Sequence, residues 1–194
     1  MKATLRPTII IFCLLSIICA FIYPITLTVL GNFVFPKQVA GSLLMHKNIV
    51  IGSRLIGQYF NNDQYFWSRP SATIPFAYNT NASQGSNFST TNPKLLALIN
   101  ARSTILKSKD PNNNLPIPID LITASASGLD PEISLAAAYY QAGRIANLRK
   151  VPQITIENLI NQHKQTTAFG LLSNPRVNVL QLNIALDNLT HATS

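Results

Sequence analysis

An uncharged apolar stretch near the N-terminus constrains this chain more than any other feature. No charged residue occurs between Pro7 and Pro36, and the core of the stretch, TIIIFCLLSIICAFIYPITLTVL, runs for 23 residues from Thr8 to Leu30. A hydrocarbon core roughly 30 Å thick needs about 20 apolar residues in a helix. The stretch therefore predicts one transmembrane helix over residues 8–30, which Pro24 is expected to kink.

The charges on either side of the span predict its orientation. Lys2 and Arg6 precede it, whereas the first charge after it is Lys37. The positive-inside rule then places residues 1–7 in the cytoplasm and the chain after the span outside it. A cleaved signal peptide ending near Ala20 is the alternative, but the apolar stretch exceeds the usual h-region and no clear small-x-small site closes it. We therefore expect the span to be retained.

Composition limits the number of domains that the chain can form after the span. With 194 residues, 47% hydrophobic and 11% charged, the chain has room for one anchor and one domain. We place a membrane exit at 31–47 and the extracytoplasmic domain at 48–194. The 15 Lys and Arg give a net charge of +8 but are scattered, which disfavours nucleic acid and is compatible with anionic lipid or acidic partner loops. Cys13 and Cys19 both lie in the span, so the domain cannot form disulfides.

Patterning after the span predicts a mixed α/β (α+β) domain without an evident internal repeat. Strand propensity is concentrated in three segments, with one or two short strands in the first. A polar loop of unusual length separates the second strand from the first helix, and loops of this kind are often functional. The strand segments are Asn48–Gln58, Tyr65–Trp67 and Ile117–Thr123, and the loop is Pro70–Asn92.

Helices are predicted where capping residues precede apolar residues at helical spacing. Asn92 with Pro93 begins an amphipathic helix that ends near Lys109, and Asp130 with Pro131 begins another that ends near Arg149. Two further segments are shorter. Thr155 is expected to cap a helix to about Gln165, Gly170–Pro175 makes a break, and Arg176–Leu189 is either a strand turning into a helix or a single helix, with mostly helix favoured.

Residues that could perform chemistry lack the partners that chemistry needs. Ser125 and Ser127 lie in TASASGLD, which has no nucleophile-elbow glycine pattern, so a tight strand-to-helix connection is favoured over a catalytic serine. An anion contact at that helix start is disfavoured by Asp130. No Walker A or dinucleotide motif occurs, and the histidines, His46, His163 and His191, have no partner at metal-ligand spacing. We predict no catalytic residue and no metal site.

Several ordered motifs across nearly the whole chain resemble the C subunit of the Kdp-type potassium-transporting ATPase, a P-type pump complex of bacteria. Their order and spacing are more specific than any one of them. They are the N-terminal span, RLIGQYF at 54–60, YFWSRPSAT at 65–73, YN at 78–79, ASQGSN at 82–87, NP at 92–93, DLITASASGLDPEIS at 120–134, YQAGRIA at 140–146 and VNVLQLNIALD at 177–187.

The resemblance implies a non-catalytic accessory subunit of a high-affinity potassium pump in the bacterial inner membrane. It implies three partners: a channel-like potassium-binding subunit, the P-type catalytic subunit and a small membrane subunit. It also implies assistance to ATP binding by the complex, and this is the one ground for associating ATP with the chain. Membrane-tethered serine hydrolase and free-standing periplasmic binding module are the alternatives from other classes.

Contact chemistry in the long loop leads to a docking hypothesis. We expect the span to pack against transporter helices and the loop from Arg69 to Asn87 to dock over the ion entrance, as a scaffold and a gate or ion funnel. Arg144 lies on a helix, where an internal ion pair is favoured over contact with a partner. The predicted docking residues are Arg69, Tyr78, Asn79, Asn87 and Arg144.

Overall fold

The computed structural model describes residues 2–46, 48–166 and 174–191. The chain forms two compact units, Met1–Leu43 and Leu44–Ser194. The first unit is mainly helix, and the second contains the other helices and the strands. The mixed α/β class predicted from the sequence, with one N-terminal apolar helix, is confirmed.

The apolar helix is longer than the predicted span. It consists of α1 (Lys2–Ile17), a π-helical turn (Ile18–Ile22) and α2 (Tyr23–Val34). Within it Leu5–Val34, 30 residues of high hydropathy, is long and apolar enough to cross a membrane. At 1.5 Å per residue this is about 45 Å, which exceeds a hydrocarbon core of about 30 Å.

The irregularity expected at Pro24 takes the form of the π-helical turn that precedes it. A proline has no N–H, and its ring crowds the carbonyl four residues earlier, here that of Ala20. The wider π turn changes the local hydrogen-bond register, and the Tyr23 N–H bonds to the Ile18 carbonyl five residues back.

The chain leaves the long helix through a short helix and two paired strands. Phe35 follows α2, and Pro36 begins α3 (Pro36–Val39). Next come β1 (Leu43–His46) and β2 (Ile49–Ser53), which form a two-stranded sheet. One strand is thus confirmed within Asn48–Gln58, whereas β1 lies in the segment that we assigned to the membrane exit.

The centre of the second unit is a short antiparallel sheet whose two strands each continue into a helix. β3 (Glu132–Ser134) leads into α5 (Leu135–Arg149), and β4 (Arg176–Asn178) leads into α7 (Val179–His191). The register pairs Glu132 with Asn178, Ile133 with Val177 and Ser134 with Arg176. α6 (Gln153–Gln162) packs against both α5 and α7. The strand-then-helix alternative for Arg176–Leu189 is therefore correct.

The two strand–helix units share a short sequence pattern that was not predicted. DPEIS at 130–134 corresponds to NPRVN at 174–178. The last residue of each caps the following helix, because Ser134 Oγ accepts from the Ala137 N–H at 3.0 Å and Asn178 Oδ1 accepts from the Gln181 N–H at 3.0 Å. With only five residues in each copy, the pattern becomes visible only once the strands are paired.

Apolar side chains of these elements form the core. Small residues on α5 allow α6 to approach closely, and larger aliphatic side chains from β3, β4, α6 and α7 fill the space between them. The core members include Ile133, Ala137, Ala138, Ala142, Ile145, Ile156, Ile160, Val177, Leu182 and Leu186.

Two predicted helix caps are wrong. Asp130 does not begin a helix, because Glu132–Ser134 pair with β4 and the helix can start only at Leu135. Asp130 Oδ1 instead accepts from the Glu132 N–H at 3.0 Å. Thr155 lies inside α6, which begins at Gln153 after Pro152. The position of Gly170 is outside the described residues.

The strand predicted at Ile117–Thr123 is also wrong, and a 3-10 helix (Ile119–Leu121) takes its place. Pro116 and Pro118 lack donors for a strand ladder. The turn is fixed by Asp120, whose carboxylate accepts from the Ser134 N–H at 2.7 Å.

The remaining connections agree with the sequence. α4 (Pro93–Lys109) is confirmed, and Asn92 Oδ1 caps it by accepting from the Lys94 N–H at 2.9 Å. Pro70–Asn92 contains neither helix nor strand, as expected.

The strand predicted at Tyr65–Trp67 is wrong. Tyr65 closes a turn, in which its N–H bonds to the Asn62 carbonyl at 3.1 Å, and two side-chain carboxamides pair with the backbone that follows in place of a neighbouring strand. Asn183 accepts from the Phe66 N–H at 2.9 Å and donates to the Phe66 carbonyl at 3.0 Å. Gln141 accepts from the Trp67 N–H at 2.8 Å and donates to the Trp67 carbonyl at 3.2 Å. We call Gln141 and Asn183 the carboxamide clamp.

Replacing one member of the clamp tests its contribution to stability. Asn183→Leu preserves the size of the side chain but leaves the buried N–H and carbonyl of Phe66 unpaired, which should lower the free energy of unfolding by about 2–4 kcal/mol. Urea unfolding of the full chain in mild detergent would measure this through Trp67, the single tryptophan.

The matched control is Asn100→Leu on the exposed surface of α4. It should change the free energy of unfolding by less than about 0.5 kcal/mol. Equal effects of the two substitutions would contradict the clamp.

Candidate docking site

The five predicted docking residues do not form one surface. Arg69, Tyr78 and Asn79 lie close together at the base of the long loop, and Asn87 lies exposed further along it. Arg144 is on α5 and is only 4% exposed. Arg69 retains 26% of its side-chain exposure, whereas Tyr78 and Asn79 are buried.

Side-chain hydroxyls close the first part of the loop upon itself. Ser71 Oγ donates to the Gly128 carbonyl at 2.7 Å and accepts from the Tyr78 N–H at 3.0 Å. Thr73 Oγ1 accepts from the Asn79 N–H at 3.0 Å and donates to the Phe76 carbonyl at 2.8 Å. These bonds hold residues 71–79 in one conformation, so the exposed tip is presented on a fixed base.

Asn79 and Tyr78 are buried and stabilise the loop base, so they do not form part of the exposed surface. Asn79 Nδ2 donates to the Ile74 carbonyl at 2.8 Å, and the side chains of Ile74 and Phe76 point outward into solvent. Tyr78 has a left-handed backbone, with φ of 62°. Its hydroxyl donates to the Arg69 carbonyl at 2.6 Å, and burial raises its pKa to about 12.

A glycine makes room for the buried Tyr78 ring. A Cβ at Gly57 would lie 2.4 Å from Tyr78 Cε1 and 2.5 Å from the Asp130 carbonyl oxygen. Such distances are excluded for real atoms, so RLIGQYF needs a glycine here for the loop to dock on the domain.

Arg69 links the loop to the strand region. Its Nη1 lies 3.1 Å from Asp130 Oδ2 in a partly exposed salt bridge. Its Nε is buried and has no hydrogen-bond acceptor in the part of the chain that the structure describes. The guanidinium therefore retains a donor that its present contacts do not use.

The second part of the loop packs on the serine-rich turn. Ser83 Oγ donates to the Ser127 carbonyl at 2.9 Å, and a Cβ at Gly85 would lie 2.7 Å from the Ala126 carbonyl oxygen. Gly128 has φ of 69° and leaves no room for a Cβ beside Gln84. The ASQGSN and ASASGLD motifs thus contact each other.

Ser125 and Ser127 stabilise this turn. Ser125 Oγ is buried and accepts from the Gly128 N–H at 3.0 Å, and Ser127 Oγ accepts from the Leu129 N–H at 3.1 Å. A tight connection of small residues is confirmed, but the predicted strand before it and helix after it are not. Residues 123–130 also do not form the helix start that an anion site would need, because α5 begins only at Leu135.

Arg144 makes its contacts within the domain, as expected, but its hydrogen bonds go to carbonyl oxygens and not to a carboxylate. Its guanidinium donates to the Asp63 carbonyl, to the Tyr65 carbonyl at 3.1 Å and to Gln141 Oε1 at 2.8 Å. It also stacks on Trp67, 4.6 Å from the ring centroid. Burial lowers its pKa to about 10, against nearby carboxylates that raise it. Arg144 thus braces residues 63–67 from below the surface.

A cleft of about 380 Å³ lies beside the loop base, and sequence reasoning missed it. Its walls come from four parts of the chain: residues 59–61, the loop base at 67–71 and 77–78, α4, and Leu121. The sequence does contain one indication of the cleft: Arg102 lies between apolar residues on the face of α4 that was predicted to be apolar. The lining residues that were not predicted as site residues include Tyr59, Phe60, Trp67, Arg102, Ile105 and Lys109.

Comparison with known proteins gives one consistent result. A family profile described as "KdpC: K+-transporting ATPase, c chain" matches residues 5–188. Proteins named "Potassium-transporting ATPase KdpC subunit" are similar over nearly their full length. One from Herminiimonas arsenicoxydans is 51% identical over 96% of this chain and 98% of its own. One from Janthinobacterium sp. (strain Marseille) is 50% identical over 96% and 99%, and one from Methylococcus capsulatus is 50% identical over 95% and 97%.

Tyr78→Phe tests the loop base through its dependence on pH. Because burial raises the Tyr78 pKa from 10.0 to about 12, the unfolded chain loses this proton at lower pH than the folded chain does. Stability is retained below pH 10 and falls as pH rises toward about 12. Removing the hydroxyl should cost about 1 kcal/mol at neutral pH and make the alkaline loss less steep.

Urea unfolding at several pH values would measure both effects. The control is Tyr59→Phe, because the Tyr59 side chain is exposed. An alkaline slope that Tyr78→Phe leaves unchanged would contradict the assignment.

Proposed function

The chain belongs to the KdpC family, the c chain of the K+-transporting ATPase, and from this premise we propose that it assembles and stabilises the complex by docking its domain on the extracytoplasmic side. The family identifies it as a subunit other than the catalytic one. Among the described residues one helix, near the N-terminus, is long and apolar enough to cross a membrane, which fits a single-pass membrane protein. The proposed location of the protein is the bacterial inner membrane, with its N-terminus in the cytoplasm.

The observation that supports docking most strongly is that the loop from Arg69 to Asn87 combines a hydrogen-bonded base with exposed apolar side chains. Its base is fixed by hydrogen bonds from Ser71 and Thr73, while its tip exposes Ile74 and Phe76. Apolar side chains held outward on a rigid base are what a preorganised contact surface requires, because little entropy is lost on binding.

The proposed partners are the channel-like potassium-binding subunit, the P-type catalytic subunit and the small membrane subunit. The long helix would pack against their membrane helices, and the π turn before Pro24 gives it a feature that partner helices could recognise. The loop would then lie over the ion entrance. Assistance to ATP binding, as the resemblance implies, would in this orientation reach the nucleotide through the other subunits.

Co-purification tests the role directly. The tagged full chain, expressed in its native host under potassium starvation and extracted in mild detergent, should recover a P-type ATPase subunit and a channel-like subunit. Phe76→Asp should reduce that recovery at least about tenfold, because it places a charge in the centre of the proposed contact.

Ile154→Asp on α6 is the matched control, since Ile154 is 60% exposed and Phe76 is 61% exposed. It should leave recovery unchanged. Recovery of the wild-type chain alone, with an N-terminus cleaved near Ala20, would overturn the accessory role and support the secreted hydrolase or binding module instead.

A further inference from the structure

The cleft beside the loop base carries more positive charge than the domain neutralises. Its lining includes three cations, Arg69, Arg102 and Lys109, and no carboxylate. Lys109 Nζ pairs with Asp63 Oδ2 at 2.7 Å, and Arg69 pairs with Asp130. Among the described residues Arg102 has no salt bridge.

Arg102 is held in place without being neutralised. Its Nη1 donates to the Ile122 carbonyl at 2.7 Å, and burial lowers its pKa. A half-buried guanidinium bonded only to a carbonyl retains both its charge and further donors for a bidentate acceptor. The Arg69 side chain, which is 26% exposed, adds a second positive charge to the cleft wall.

The rim of the cleft is apolar and uncovered. Tyr59 is 66% exposed and Ile105 is 51% exposed, and both line the cleft. Leu98 precedes Ile105 by seven residues on α4, which places it on the same helix face, and it is exposed as well. The amphipathic face predicted for α4 is therefore only partly used by the core, where Leu106 is its buried member.

We propose that this cleft receives a segment of another subunit of the ATPase complex, a segment that presents a carboxylate to Arg102 beside an aromatic or aliphatic side chain. The inference rests on the proposed docking function and adds the position of a contact and its chemistry. A guanidinium with unused donors, such as that of Arg102, binds a carboxylate bidentately, and the rim supplies the apolar contact that flanks such a pair.

A protein segment fits the cleft better than a free anion does. An anion would occupy the guanidinium groups but would leave Tyr59, Leu98 and Ile105 exposed to water. The cleft also shares Arg69 and Tyr78 with the base of the loop, so its surface is continuous with the docking surface already proposed. One partner surface could then cover both the loop tip and the cleft.

Photo-crosslinking in the assembled complex tests the cleft without disturbing its charges. With benzoylphenylalanine at Ile105, irradiation should attach a peptide of another subunit that contains Asp or Glu, as peptide mass analysis would show. Benzoylphenylalanine at Leu115, an exposed position outside the cleft lining, is the control and should not attach that peptide. Attachment at Ile105 to lipid or to a second copy of this chain, or no attachment, would overturn the proposal.

A charge-neutralising pair gives a second readout. Arg102→Gln preserves an amide donor for the Ile122 carbonyl and should reduce recovery of the other subunits about tenfold. Lys107→Gln, on the same helix but outside the cleft, should leave recovery unchanged. Thermal unfolding of both variants would establish that they fold, and equal recovery would overturn the role of Arg102.

The experiments distinguish failure of the docking function from failure of the cleft inference. If the wild-type chain recovers no other subunit, the docking function fails and the cleft inference fails with it. If the complex is recovered but Ile105 attaches no acidic peptide, only the assignment of the cleft is overturned.

Discussion

Buried backbone groups need hydrogen-bond partners, and the segment 63–67, a turn that continues into an irregular stretch, meets this requirement without a neighbouring strand. The clamp of Gln141 and Asn183 pairs both backbone groups of Phe66 and Trp67. Arg144 takes two further carbonyls of the same segment. Gln141 lies on α5 and Asn183 lies on α7. Because both bind the backbone of residues 66–67, this earlier segment of the chain joins the two strand–helix units.

The loop that we propose for docking starts where the clamp ends. Arg69 follows Trp67 by two residues, so the clamp determines where the loop leaves the domain. Ser71 and Thr73 then close the loop base, and Gly85 and Gly128 allow its second part to contact the serine-rich turn. The outward side chains are thus held by a chain of buried contacts, and a partner would meet a surface that needs little ordering.

Local signals predicted the elements whose formation is local. The long apolar helix and α4 needed only hydropathy and a cap, and both are present. The cap at Asp130 failed because pairing with β4, more than forty residues later, overrides a good capping sequence. The strand at Tyr65–Trp67 failed because its partners are side chains 74 and 117 residues away. The cleft combines Tyr59 and Arg102 from separate segments, which no local pattern reveals.

Hydrogen exchange at the amides of Phe66 and Trp67 is the most direct test of the clamp. The full chain would be measured in mild detergent at single-residue resolution. If side-chain carboxamides replace a strand, these two amides should exchange as slowly as those in the middle of α5, whereas the amide of the exposed Asn87 exchanges fast. Exchange of Phe66 and Trp67 at the rate of Asn87 would contradict the clamp and, with it, the fixed base from which the loop is presented.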